Sequence, residues 1–92
     1  MNLKDAIEGR EYIISSIETD DEELNSFLFS LGCYSGETIT VISHLKGGCV
    51  VSIKDSRYNI DNQLAEAIIV WLLLLRISVF FNRQLAIANF IQ

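Results

Sequence analysis

Three side chains in this sequence of 92 residues could bind a soft transition metal: His44, Cys33 and Cys49. Imidazole and thiolate are suitable ligands for such metals, but a structural zinc site needs four ligands at characteristic spacing. No Cys-x-x-Cys pair occurs here. We therefore expect Cys49 to pack in a strand as a small apolar side chain, Cys33 to lie in a helix-to-strand turn and His44 to lie in a solvated loop. His44 and Cys33 remain the candidate ligands for a weakly bound divalent transition metal, and the sequence indicates no cofactor with certainty.

Carboxylates at 20–23 could attract a hard cation, since four acidic residues follow one another there. The run lacks the alternating ligand spacing of a calcium loop. Acidic side chains are also favourable at the positive end of a helix, and Thr19 with Glu22, or Asp20 with Glu23, could form a capping box. The run therefore predicts the start of a helix.

The sequence indicates no catalytic residues, and we expect the protein not to be an enzyme. His44 is the single histidine, and no nucleophile and base stand at a recognisable spacing around it. The pair Gly47-Gly48 is too short for a loop that cradles phosphates.

The amino-acid composition limits the classes of partner and the cellular compartment that we expect for this protein. The net charge is −5 and half of the residues are hydrophobic, which suits one domain with a core and excludes nucleic acid, whose phosphates require a basic surface. Two cysteines make no disulfide framework, and the polar start of the chain does not resemble a signal peptide. These features predict a cytoplasmic protein.

A helix over about 21–31 is predicted by Leu24, Phe27, Leu28 and Leu31, which share one helical face. Gly32 stands just past the last of them, where a left-handed residue commonly ends a helix. Gly36 follows in a turn that leads into a strand.

Five short strands are predicted around this helix, with a loop at 44–48 and one helical turn capped by Asp61. The strands cover 12–17, 38–43, 49–54, 57–60 and 67–70. Only the first connection is long enough to hold a crossover helix, which excludes a parallel βαβ fold. The sequence thus predicts a mainly β domain over 1–70: a small SH3-like barrel with one inserted helix.

The segment 71–92 differs from the rest, because it is apolar on most sides of a helical wheel. We predict a helical extension that forms a homodimer or higher oligomer, or contacts a partner, through Leu72, Leu75, Val79 and Phe80. A membrane span is disfavoured, since Arg76 would fall at its centre at a cost of about 2.5–3.5 kcal/mol.

The motifs of residues 1–70 resemble the FeoA (ferrous iron transport protein A) family. The resemblance rests on Leu31-Gly32, then Gly36 and Ile39, and on Gly47-Gly48 before the next strand. The residues that determine the fold are Leu24, Leu28, Leu31, Gly32 and Gly36.

This resemblance implies a small accessory protein of bacterial Fe(II) uptake that acts with the cytosolic domain of the iron permease. Two alternatives stay open: a transition-metal carrier or sensor that uses His44, Cys33 and the acidic run, and a structural oligomerisation module. A similar barrel ends some metal-dependent repressors, but no helix-turn-helix precedes the barrel in this sequence.

Overall fold

A computed structural model of the protein describes residues 1–72. Five antiparallel strands form one sheet in the order β4-β3-β2-β1-β5, which confirms the mainly β prediction. None of the helices within residues 1–72 is long and apolar enough to cross a membrane. The elements, after a 3-10 turn at Leu3–Asp5, are β1 (Glu11–Ile17), α1 (Glu22–Ser30), β2 (Thr38–Leu45), β3 (Gly48–Ile53), β4 (Ser56–Asp61), α2 (Asn62–Ala67) and β5 (Ile68–Leu72).

The core is formed by every second side chain of the strands, on the face of each strand that points away from solvent. In β2, for example, Ile39 and Val41 are buried while the residues between and beside them are partly exposed, as expected where one face of a strand meets the core. Both cysteines belong to this core. The cluster comprises Leu3, Ala6, Tyr12, Ile14, Leu28, Cys33, Ile39, Val41, Cys49, Val51, Ile53, Ile60, Ala65, Ile68 and Val70.

Helix α1 is capped one residue after the predicted cap at Asp20 and two residues after the predicted cap at Thr19. Its N-cap is Asp21, whose side chain accepts hydrogen bonds from the backbone N–H groups of Glu23 and Leu24. The capping boxes of Thr19 with Glu22 and of Asp20 with Glu23 were therefore wrong. Thr19 instead accepts a hydrogen bond from the N–H of Asp21 at 3.1 Å, which orders the residue that caps the helix.

The end of α1 follows the prediction closely. Gly32 has φ +90°, and its N–H donates to the carbonyl of Phe29 at 3.0 Å. The N–H of Cys33 donates to the carbonyl of Leu28 at 2.9 Å. These two bonds form a Schellman motif, in which the buried pair of Leu28 and Cys33 supplies the usual apolar contact.

The predicted apolar face of α1 is only partly correct. Leu28 is 1% exposed, and Leu24 packs against the core while partly exposed. Leu31 is also half-buried, but Phe27 is 50% exposed. The helix is short, so the sheet covers a narrow stripe of it and Phe27 falls outside that stripe.

The first hairpin is tighter than predicted, and the turn of the second is shifted by one residue. β2 continues through Leu45, so His44 lies in a strand and not in a loop, and the turn is Lys46-Gly47. The next turn is Lys54-Asp55 and not Asp55-Ser56; both of its residues have positive φ, at 48° and 67°. Positive φ at both central residues is the geometry of a type I′ turn, which is favoured in two-residue hairpins because it matches the twist of the strands.

Beyond β5, the predicted helical extension, together with Leu75, Val79 and Phe80, lies outside the described residues. Leu72 is within them, at the end of β5, where it pairs with Tyr12 and packs partly on the core. The last strand therefore continues two residues past its predicted end at Val70.

Candidate functional site

Two of the three soft candidate ligands, His44 and Cys49, are cross-strand partners in β2 and β3. Cys33 is buried, and burial raises the pKa of its thiol to about 12. Burial also raises the pKa of Cys49. Because the thiolate is the form that binds metals, both groups are poor ligands at neutral pH. Within residues 1–72, no three His, Cys, Asp or Glu side chains are placed to hold one ion.

His44 connects the first residues of the chain to β2. Its ring Nε2 lies 2.6 Å from the carbonyl oxygen of Ala6, so Nε2–H is the donor. Its backbone N–H donates to the Glu8 carboxylate. These contacts give His44 a structural role, which is to hold the loop that follows the 3-10 turn against the sheet.

An exposed cluster of aromatic and charged side chains lies beyond the end of α1. The rings of Phe29 and Tyr34 are in contact, with their centroids 4.8 Å apart and their planes tilted by 34°, and Phe29 is 64% exposed. Lys54 donates to the Tyr34 hydroxyl at 2.7 Å and lies 3.5 Å from Glu37. The hydrogen bond to Tyr34 raises the pKa of Lys54, with a smaller contribution from Glu37.

The side chains of this aromatic–lysine cluster (Phe29, Tyr34, Glu37 and Lys54) contact one another within the chain. The Schellman turn fixes Tyr34 relative to Phe29, and the β3–β4 turn presents Lys54. Exposed aromatic side chains such as that of Phe29 are of a type enriched at protein interfaces. The contacts within the cluster reduce the side-chain entropy that binding would cost.

An apolar groove lies on another side of α1, between that helix, the β2–β3 hairpin and α2. Phe27, Leu45 and Leu64 are its large apolar side chains, and it encloses about 460 Å³. Phe27 and Leu45 are each about half exposed, at 50% and 51%. The remaining lining residues are Gly47, Gly48, Asn59, Ile60 and Asp61.

Sequence reasoning missed both surfaces. Phe27 was assigned to the core, Leu45 to a loop, and Phe29 was not singled out. One signal was available: Phe27 and Phe29 are large apolar residues two positions apart on a short helix, so they cannot both share its buried stripe. Nothing local in the sequence brings Leu64 near Leu45.

The acidic run at 20–23 lies at the N-terminal end of α1 and stabilises the start of that helix. Asp21 caps the helix, and Glu22 and Glu23 lie in its first turn. All four residues of the run are exposed, so the run acts as a negatively charged helix start and shows no arrangement around a shared ion.

Comparison with known proteins agrees with the family resemblance found in the sequence. The family model described as the FeoA domain matches residues 1–71. A search of curated proteins gave no match. A crystal structure of an iron uptake regulatory protein (FeoA) is similar with a TM-score of 0.69 and 25% identity, over 76% of this chain and 93% of that one.

Two further structures share the fold. Iron(II) transport protein A from Clostridium thermocellum has a TM-score of 0.73 and 23% identity over 79% of this chain, which spans 46% of that protein's length. The zinc complex of FeoA from Stenotrophomonas maltophilia, described as a procaryotic SH3 domain protein, has a TM-score of 0.69 and 16% identity over 77% of this chain and 89% of that one. The predicted SH3-like fold is confirmed.

Proposed function

This chain belongs to the FeoA domain family, and on that premise we propose that it is an accessory protein of bacterial ferrous iron uptake that binds the cytosolic domain of the iron permease. The family is associated with ferrous iron transport and consists of non-catalytic accessory domains. The protein would therefore act by contact, and any nucleotide chemistry would belong to its partner.

The observation that carries this proposal is the aromatic–lysine cluster. Phe29 is more exposed than any other large hydrophobic side chain among residues 1–72, yet its ring is held against Tyr34. Leaving such a ring in water forgoes roughly 1.5–3 kcal/mol of burial, which a partner surface would recover. Lys54 adds a charge that would orient an acidic group of the partner.

The nearby charges favour a limited, specific contact. Glu37 lies close enough to Lys54 to screen it, and the chain as a whole carries a net charge of −5. General electrostatic attraction to an acidic surface is therefore weak. Recognition would depend on the Phe29 and Tyr34 rings, with Lys54 setting the orientation.

The proposal is tested in a strain that lacks the gene, complemented with variants under anaerobic, iron-limited growth. We expect Phe29→Asp to leave Fe(II) uptake at the level of the deletion strain. Ser26→Asp, an exposed position on the same helix, is the matched control and should restore uptake. Full restoration by Phe29→Asp would exclude this surface as the contact.

The same strain separates the alternatives. If deletion leaves Fe(II) uptake unchanged, the accessory function is wrong and a structural oligomerisation module becomes the better description. The contact predicted from sequence through Leu72, Leu75, Val79 and Phe80 stays a prediction, and alanine substitutions at these four positions can be compared with Phe29→Asp in the same assay.

A further inference from the structure

We propose that the apolar groove of Phe27, Leu45 and Leu64 binds segment 73–92 of a second copy of this chain, so that two copies exchange these segments. The inference concerns self-association and does not depend on the permease as partner. It assigns the groove to one occupant, and it uses a surface different from the aromatic–lysine cluster.

The groove is suited to a long apolar segment. Its three large side chains come from α1, from the end of β2 and from α2, and Gly48 allows the backbone to form the floor between them. Phe27 and Leu45 together leave two large apolar surfaces half exposed on facing elements. Full burial of such a side chain contributes roughly 1.5–3 kcal/mol, so about half of that is still to be gained at each of these two half-exposed side chains.

Segment 73–92 has the complementary composition. It contains eleven large apolar residues, and Arg76 and Arg83 are its only charged side chains. Residues 1–72 carry all 12 acidic residues and the other 5 basic ones, a net of 5 − 12 = −7. The segment is thus apolar and cationic, and the body that would receive it is strongly acidic.

Acidic groups also lie at the groove itself. Asp61 is one of its lining residues and is exposed. Its carboxylate accepts one hydrogen bond, from the N–H of Leu64 at 2.8 Å, which leaves further acceptor sites. Glu23 is exposed one helical turn before Phe27, on the same side of α1. Arg76 and Arg83 could pair with these two carboxylates.

The end of β5 and the length of segment 73–92 set how far the segment can reach, both to the groove of its own copy and beyond it to that of an adjacent copy. β1 is antiparallel to both β2 and β5, so β5 runs parallel to β2. Leu72 ends β5 at the level of Tyr12 and Ile39, and β2 continues from there to Leu45 beside the groove. Six residues of strand cover about 20 Å, whereas twenty residues reach about 30 Å as a helix and about 66 Å when extended.

The sequence of the segment favours a second copy over the same chain. Its polar residues are interspersed among the apolar ones and do not form one polar side. A single groove would therefore cover one side of the segment and leave apolar side chains exposed on the other. Exchange between two copies places two segments next to each other, and each then covers what the opposite groove does not. Eleven large apolar side chains can supply the roughly 800 Å² per partner that a stable interface buries.

The decisive experiment places a photo-reactive benzoylphenylalanine at Phe27 in the full chain, in a mixture of isotopically heavy and light copies. We expect crosslinks that join Phe27 of one copy to a peptide within 73–92 of the other. Crosslinks confined to one copy, crosslinks to residues 1–72 alone, or no crosslink to the segment would each overturn the proposal. The same group at Phe29 is the control, and it should not reach segment 73–92.

Sedimentation equilibrium of full-length variants gives a second measurement. Because Phe27 and Leu45 are half exposed, Phe27→Glu and Leu45→Glu should leave the fold intact and weaken the dimer about tenfold or more. Phe29→Glu adds the same charge to α1 outside the groove and should change the dissociation constant less than about twofold. A wild-type chain that sediments as a monomer, or groove variants that dimerise like wild type, would contradict the proposal.

Discussion

Gly48 and Ile60 are in direct backbone contact between β3 and β4, and this contact forms the floor of the apolar groove. A Cβ atom at Gly48 would overlap the carbonyl oxygen of Ile60 and would stand 2.8 Å from the Cα atom of Asp61. No L side chain fits there without moving one of the two strands. At Gly47, one residue earlier, nothing lies within 4 Å of an added Cβ atom.

Gly48→Ala should therefore destabilise the protein, because the strands must separate to accept a methyl group. We expect the free energy of unfolding to fall by about 2–3 kcal/mol, as for other overpacked sites. Gly47→Ala should change it by less than about 0.5 kcal/mol, as is usual at open surface positions. Urea denaturation of both variants measures the difference, and equal effects would show that the close approach is not a constraint.

Asp21→Ala should weaken the start of α1. The Asp21 carboxylate accepts from two backbone N–H groups, and loss of an N-cap costs about 1 kcal/mol. Asp20→Ala removes a neighbouring exposed carboxylate that caps nothing, so it serves as the control for the change in charge. Chemical denaturation followed by circular dichroism compares the two; an Asp20→Ala loss as large as that of Asp21→Ala would refute the assignment of the cap.

The burial of Cys33 predicts an alkaline weakening of the fold. Its pKa in the folded protein is about 12, above the ordinary value of 9.0, so the unfolded chain releases this proton at lower pH than the folded one. The stabilisation is fully present below about pH 9 and is lost as pH rises towards 12.

Between these values Cys33 should contribute a loss of about 1.4 kcal/mol for each pH unit. The contribution is measured as the difference in pH dependence between the wild-type protein and Cys33→Ala, since tyrosine and lysine titrate in the same range in both. Parallel curves would mean that the thiol is not desolvated. Slow alkylation of Cys33 in the folded protein, compared with the unfolded chain, is a second check.

Metal titration distinguishes an accessory protein from a metal carrier or sensor. Both thiols are buried with raised pKa values, and His44 donates from Nε2 to a backbone carbonyl. Anaerobic titration with Fe(II) should therefore show no tight stoichiometric binding. Tight binding that disappears in His44→Ala and in Cys33→Ser would favour a metal carrier over an accessory protein.

Much of the fold could be predicted from local patterns. Strand alternation such as that of Ile39 and Val41 depends on a period of two residues, and the end of α1 depends on one glycine with positive φ. The cap of Asp61 on α2 was also predictable, because its side chain bonds to an N–H three residues ahead. Each of these signals is contained within a few residues.

The surfaces were harder to predict because they depend on packing between distant elements. The width of the covered stripe of α1 determines whether Phe27 is buried, and this width depends on how the helix packs on the rest of the domain. The turn at Lys54-Asp55 was misplaced by one residue for a similar reason. The register of β3 against β4, which pairs Ile53 with Ser56, leaves exactly two residues between the strands, although neither is glycine.

The most direct test of the proposed function is calorimetric titration of the full-length protein with the cytosolic domain of the iron permease. We expect saturable binding that Phe29→Asp weakens about tenfold or more, because a buried aromatic anchor would be lost, whereas Ser26→Asp leaves it unchanged. Binding that Phe29→Asp does not alter would place the contact elsewhere on the protein. No binding by the wild-type chain would contradict the account of this protein as an accessory of the permease.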